Sequence, residues 1–155
     1  MTHYRRAYFH DLNRTGESPA EDGTDFRELL ENASDFIYTT DHTGKFTSVN
    51  GAGERLTGYS RAELVASNLG QIVAPESLDT VLRIMDQMAK GANPTICELD
   101  VVAKDGRKVL VEVNTQPIYR DGRPVGVQGI ARDISLRRQA DLAIRERAAH
   151  LEALN

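Results

Sequence analysis

TICELDVVAKDGRKVLVEVNTQPIYRDGRPVGVQGIARDIS, residues 95–135, holds three strand-like runs parted by two Asp-Gly turns. The runs are Thr95–Ala103, Lys108–Tyr119 and Pro124–Asp133, each rich in Val, Ile or Leu. The turns are Lys104-Asp105-Gly106-Arg107 and Arg120-Asp121-Gly122-Arg123. Asp-Gly supplies the positive φ angles of tight hairpins, so the flanking runs are predicted to pair antiparallel as a three-stranded meander. The meander leads straight into a charged helical tail. A sheet that feeds a helix in this way suits a module that passes a signal along the chain better than one that turns over substrate.

Working back from the meander, Asp35–Thr40 and Lys45–Val49 read as a first hairpin around Asp41-His42-Thr43-Gly44, since Phe36, Tyr38 and Phe46 suit a pleated surface. Between them and the meander the texture is helical. Ala52–Leu56 is one short helix, and Arg61–Val65, capped by Ser60, is another. Pro75–Lys90 is the longest, with Pro75 in its first turn, Gly91 as its stop, and a stripe of Leu78, Val81, Leu82, Met85 and Met88. Upstream, a helix is expected to begin at Asp25, with Glu28 completing a capping box and Phe26, Leu29 and Leu30 as its buried stripe. Tyr4, Tyr8 and Leu12 fit one face of a short helix, and residues 14–24 read as a linker. The expected organisation is therefore 1–24 as an extension and linker, 25–135 as the domain and 136–155 as an outgoing helix. The fold class is α+β, a five-stranded antiparallel sheet with short helices on one face.

Bulk properties narrow the function. The 155 residues allow one domain with appendages. A net charge of −4 with no basic stripe argues against nucleic acid as a partner. No stretch approaches the roughly 20 apolar residues of a membrane span, and no signal-peptide core follows Met1. Cys97 is the one cysteine, so no disulfide framework or thiolate metal site is expected. The expectation is a reduced, soluble, cytoplasmic protein. His3, His10, His42 and His150 all fall in tails or turns, and no Ser/His/Asp or paired-carboxylate set converges, so no enzymatic activity is expected.

Four signatures in order give a more specific reading. They are Asp41-x-x-Gly44 followed by Asn50; Leu56-Thr57-Gly58-Tyr59-Ser60-x-x-Glu63-Leu64; Lys104-Asp105-Gly106; and Gly129-x-x-Arg132-Asp133-Ile134-Ser135. Together they resemble the PAS (sensory box) family of bacterial sensor histidine kinases and diguanylate cyclases, over about residues 25–135. Each also has a local physical reading. Asn50 is placed to bond neighbouring backbone where strand becomes helix. Asp133 can accept hydrogen bonds at the start of the tail helix. The resemblance implies a relay role for Asp133, with Ser135 beside it; a simple helix cap fits the same residues.

In the tail, Leu136, Ala140, Ile144, Ala148 and Leu151 recur at helical spacing with no Gly or Pro between. A parallel copy would cover this stripe, making a homodimer; packing back on its own sheet is the alternative. The pattern is cut at Asn155, which fits a longer protein. The resemblance implies a histidine kinase or diguanylate cyclase downstream. His150 lacks the surroundings of a phosphoacceptor and reads as a solvated helix residue.

The resemblance also implies an interior able to hold flavin, haem or a small metabolite. A photoactive flavin needs cysteine after the asparagine at 68, where Leu69 stands. The positions that would read the flavin edge hold Val101, Val111 and Ala131, and Gln128 lies on the opposite strand parity. Haem needs an axial donor, and Pro75–Lys90 has no histidine. Met85 and Met88 suit core filling. Cys97 groups with Leu99 and Val101 on the inward face as a structural thiol. What remains is an apolar interior of Phe36, Tyr38, Leu69, Ile72, Leu82, Met85, Val101, Val111, Val113 and Val127. That set describes a filled core as well as a cavity for a small apolar ligand. No tightly held cofactor is expected. The leading function is a sensory, dimerising relay domain; a purely structural dimerisation module without a ligand is the alternative.

Overall fold

The structure, a computed structural model, describes residues 29–31 and 33–154. The expected helix of Tyr4, Tyr8 and Leu12, the linker 14–24, the cap at Asp25 and Phe26 lie outside the described residues. Residues 29–31 are helical, but Leu29 is exposed and Leu30 half-buried, so Leu29 does not belong to a buried stripe.

The first hairpin, β1 (Phe36–Asp41) and β2 (Phe46–Val49), turns on Asp41. Its Oδ1 accepts the Thr43 N–H (2.8 Å), the Thr43 hydroxyl (2.6 Å) and the Lys45 N–H (3.1 Å). These bonds replace water for the turn backbone and hold the Asp41 carboxyl below the usual carboxylate range, the Thr43 hydroxyl being the largest cause. Three short helices follow: α1 (Gly51–Thr57), α2 (Arg61–Val65) and α3 (Leu69–Ile72). The helix α2 carries the expected Ser60 cap, completed as a reciprocal box by Glu63.

Pro75–Lys90 is not one helix. A single 3₁₀ turn, Pro75–Ser77, precedes α4 (Leu78–Ala89). The turn is stitched to the third strand: the Ala74 N–H donates to the Asp100 carbonyl (2.8 Å) and the Ser77 hydroxyl accepts the Asp100 N–H (3.2 Å). Those bonds hold the chain in the tighter winding before α4 begins.

The meander forms as expected: β3 (Thr95–Val102), β4 (Lys108–Arg120) and β5 (Arg123–Asp133). Its two turns differ in type. Asp121 and Gly122 both have positive φ (51° and 74°), the two-residue form in which Asp-Gly is favoured. At the other turn only Gly106 is left-handed (φ 90°), and the Asp105 carboxylate instead accepts the Arg107 N–H at 2.9 Å.

The strands form one antiparallel five-stranded sheet in the order β2-β1-β5-β4-β3. The last strand lies at the centre, beside the first, so Phe36 faces Ala131 and Tyr38 faces Gly129. On one face Phe36, Tyr38, Val101, Val111, Val113 and Ala131 meet Leu64 of α2, Leu69 and Ile72 of α3 and Val81 of α4 in a single core. From the centre of the sheet the chain passes into α5 (Ser135–Ala153).

Candidate functional site: the interior and the outgoing helix

Alternation along β1 sends Phe36 and Tyr38 inward, where they meet Phe46 with ring centroids 5.1, 5.5 and 6.0 Å apart. The Tyr38 ring covers Gly129: a Cβ there would stand 2.1 Å from Cζ of the phenol. Burial, with the Cys97 thiol nearby, pushes the Tyr38 phenol well above its ordinary range. Burial likewise raises the Cys97 thiol, against the pull of the Arg83 guanidinium. Both groups therefore stay neutral at physiological pH. The Thr40 hydroxyl is buried on the same face with no partner among the described residues.

Seven of the ten expected interior residues, Phe36, Tyr38, Leu69, Ile72, Val101, Val111 and Val113, share this core. Val127 instead joins Ile84 and Met88 in a second cluster, and half-buried Met85 and Cys97 touch both. Leu82 does not line the interior; it is 58% exposed. The buried stripe of α4 is Val81, Ile84 and Met88. At 100° per residue Leu82 stands roughly 120° round the helix from that stripe.

Sequence reasoning also missed α3. Asn68 accepts the Gly70 N–H (2.9 Å), Gln71 reaches back to the Asn68 N–H (2.7 Å), and the Asn68 amide donates to the Thr43 carbonyl (2.7 Å). The Asn68-x-x-Gln71 spacing was the signal for it. Gln128 faces away from the interior, as its parity requires, and accepts from the Gln116 amide at 3.0 Å.

At the exit of the sheet, the Ile134 N–H donates to the Leu110 carbonyl (3.0 Å) and the Asp133 carboxylate accepts the Ser135 N–H (2.9 Å). This is the helix-start bond that the position of Asp133 suggested. One residue earlier, Arg132 grips Asp35 through Nε (3.3 Å) and Nη2 (3.2 Å). At the incoming side Asn50 accepts the Ile37 N–H (3.0 Å) and donates to the carbonyls of Leu30 (2.8 Å) and Asp35 (2.9 Å). That is the strand-to-helix role read from the sequence. Beyond Ser135 the helix α5 leaves the body with no buried residue. Leu136 is 81% exposed, Ile144 67% and Leu151 56%, and Ala140 and Ala148 are exposed with them. Leu142 is exposed off that stripe, and Leu154, three residues beyond Leu151, is exposed at its end.

A five-stranded antiparallel sheet with helices packed on one face and a helix running from its central strand defines the class. A family model described as the PAS fold matches residues 24–134, and the chain belongs to the PAS family. The aerobic respiration control sensor protein ArcB of Escherichia coli is 29% identical over 124 residues, 79% of this chain and 16% of that protein. A methyl sulfide methyltransferase-associated sensor of Methanosarcina acetivorans is 29% identical over 130 residues, 83% of this chain and 13% of that one. The chain thus spans a small part of the curated relatives it matches. A solved domain of a sensory box sensor histidine kinase/response regulator from Geobacter sulfurreducens superposes with a TM-score of 0.62 at 28% identity, covering 76% of this chain and 98% of that one. The N-terminal domain of a diguanylate cyclase with PAS/PAC sensor from Marinobacter aquaeolei shares the fold, with a TM-score of 0.59 at 18% identity over 67% of this chain and 98% of that one. PAS domains of this kind are sensory parts of signalling proteins. Among the described residues no helix is long and apolar enough to cross a membrane.

Proposed function

We propose that this chain is the sensory, non-catalytic part of a longer cytoplasmic signalling protein. It pairs with a second copy through α5 and passes a stimulus across the Asp133 and Ser135 junction to a histidine kinase or diguanylate cyclase beyond residue 155. One observation carries the reading: a 19-residue helix leaves the central strand with none of its residues buried and with Leu136, Ile144 and Leu151 bare. Exposed apolar side chains repeated at helical spacing gain most from a matching helix. The interior is proposed to hold neither flavin nor haem. A small apolar ligand between Val101, Val111, Val113 and the α3 and α4 side chains remains the proposed input.

Native mass spectrometry with an absorption spectrum tests this. The expected result is a colourless dimer that Ile144→Lys converts to monomer. A monomeric parent chain at tens of micromolar, or a flavin or haem band, overturns it. The close aromatic trio of Phe36, Tyr38 and Phe46 favours a second reading, a structural dimer module whose interior is already filled. A dimer whose tail responds to no added small apolar compound would decide for that reading.

A further inference from the structure

Among the described residues, those immediately before β1 are tied down at five points. Asn50 holds the carbonyls of Leu30 and Asp35, Arg55 donates to the Ala33 carbonyl, and Arg61 pairs with Glu31. All four of these bind the incoming chain to the region of α1 and α2. The fifth is different: the Asp35 carboxylate crosses to Arg132 at the end of β5, 97 residues away in sequence. Arg132 is followed directly by Asp133, which accepts the N–H of the first residue of α5.

We infer that the Asp35–Arg132 pair couples the incoming chain mechanically to α5, giving the outgoing helix a second input that bypasses the interior. This rests on the relay reading above. The same Asp35 is held by its carbonyl and by its carboxylate, so a pull on the chain before β1 reaches Arg132 through one residue. The ion pair is poorly suited to a stabilising role, because Arg132 and Asp35 are 43% and 23% exposed and such pairs contribute little. It is well suited to biasing a junction, since it can open and close without disturbing the core on the other face of the sheet. The partner that drives it is whatever structural element precedes this domain in its parent protein; the chemistry needed is only tension on the backbone of Ala33–Asp35.

Amide hydrogen exchange on the 155-residue chain tests it, with Asp35→Asn, Arg132→Gln and the double variant. The Ile134 and Arg138 amides, bonded to the Leu110 and Ile134 carbonyls, report the first turn of α5. Either single substitution is expected to raise their exchange about fivefold, and the double no further, because the two side chains act as one unit. Leu99 and Val101, on the edge strand β3 and paired in the sheet only with β4, should not change. Unchanged first-turn exchange, additive effects, or an equal rise at Leu99 and Val101 overturns the inference. The series is repeated in Ile144→Lys. The same pattern there shows a coupling that stands without pairing, so failure of the dimer and failure of the coupling are read separately; an effect confined to the associated chain overturns the coupling.

Discussion

Gly129 is a glycine because Tyr38 occupies the place of its side chain. The phenol passes over the Gly129 backbone, and a Cβ there would meet its Cζ at 2.1 Å and its oxygen at 2.3 Å. Gly129→Ala is therefore expected to cost about 3 kcal/mol, the upper part of the range for overpacking a buried site. A urea titration should show a fall in midpoint, and adding Tyr38→Val should return part of it, since the smaller side chain vacates the space. Additive losses in the double variant would mean that the two residues do not share that space. The inward direction of Tyr38 was legible from alternation in Phe36-Ile37-Tyr38, and the role of Asn50 from its place after a strand. The dependence of Tyr38 on Gly129 was not, because it follows from the register of β1 against β5, and no local pattern joins residues so far apart in sequence.

At the level of elements, the parts that were legible are those whose signals are local. Both Asp-Gly hairpins fell where their turn chemistry put them, and Ser60 caps α2. The stripe of α4 was misjudged because its sequence offers apolar residues on two sides, Leu78 and Leu82 on one and Ile84 on the other. Burial decides between them: Ile84 is 7% exposed and Leu82 58%. Thermal or urea unfolding should separate the two directly. Ile84→Ala is expected to cost about 2–4 kcal/mol, a buried truncation that leaves a void beside Met88 and Val127. Leu82→Ala should change stability by less than about 0.5 kcal/mol, as for an exposed helix position. Equal losses would mean that Leu82 also packs inward and would restore the interior first read from the sequence. The helix α3 was overlooked for another reason. It has four residues, too few for an apolar period, and only its Asn68 and Gln71 cap announces it.

For the molecule as a whole, the decisive contrast is between a sheet domain with a shared core and a helix that adds nothing to it. Folding of the body rests on the core that the five strands share with the helices α2 to α4, and that core is complete before Ile134, itself 7% exposed. Helices in proteins draw most of their stability from a packed face, and α5 buries none of its residues on the body. A chain stopped after Arg138 should therefore unfold at the same urea midpoint, within about 0.5 kcal/mol, as the intact chain at high dilution. Raising the concentration should stabilise the intact chain and leave the shortened one unmoved, because only association that favours the folded state shifts unfolding by mass action. The stripe of Leu136, Ile144 and Leu151 was visible in the sequence, but whether the helix turns home or outward depends on β5 ending at the sheet's centre and on the bonds of Ile134 and Asp133. If the shortened chain proved several kcal/mol less stable at every concentration, α5 would have to pack on its own body in solution. The relay and the pairing would then lose their physical basis together, while the Asp35–Arg132 contact would remain as a brace within one molecule.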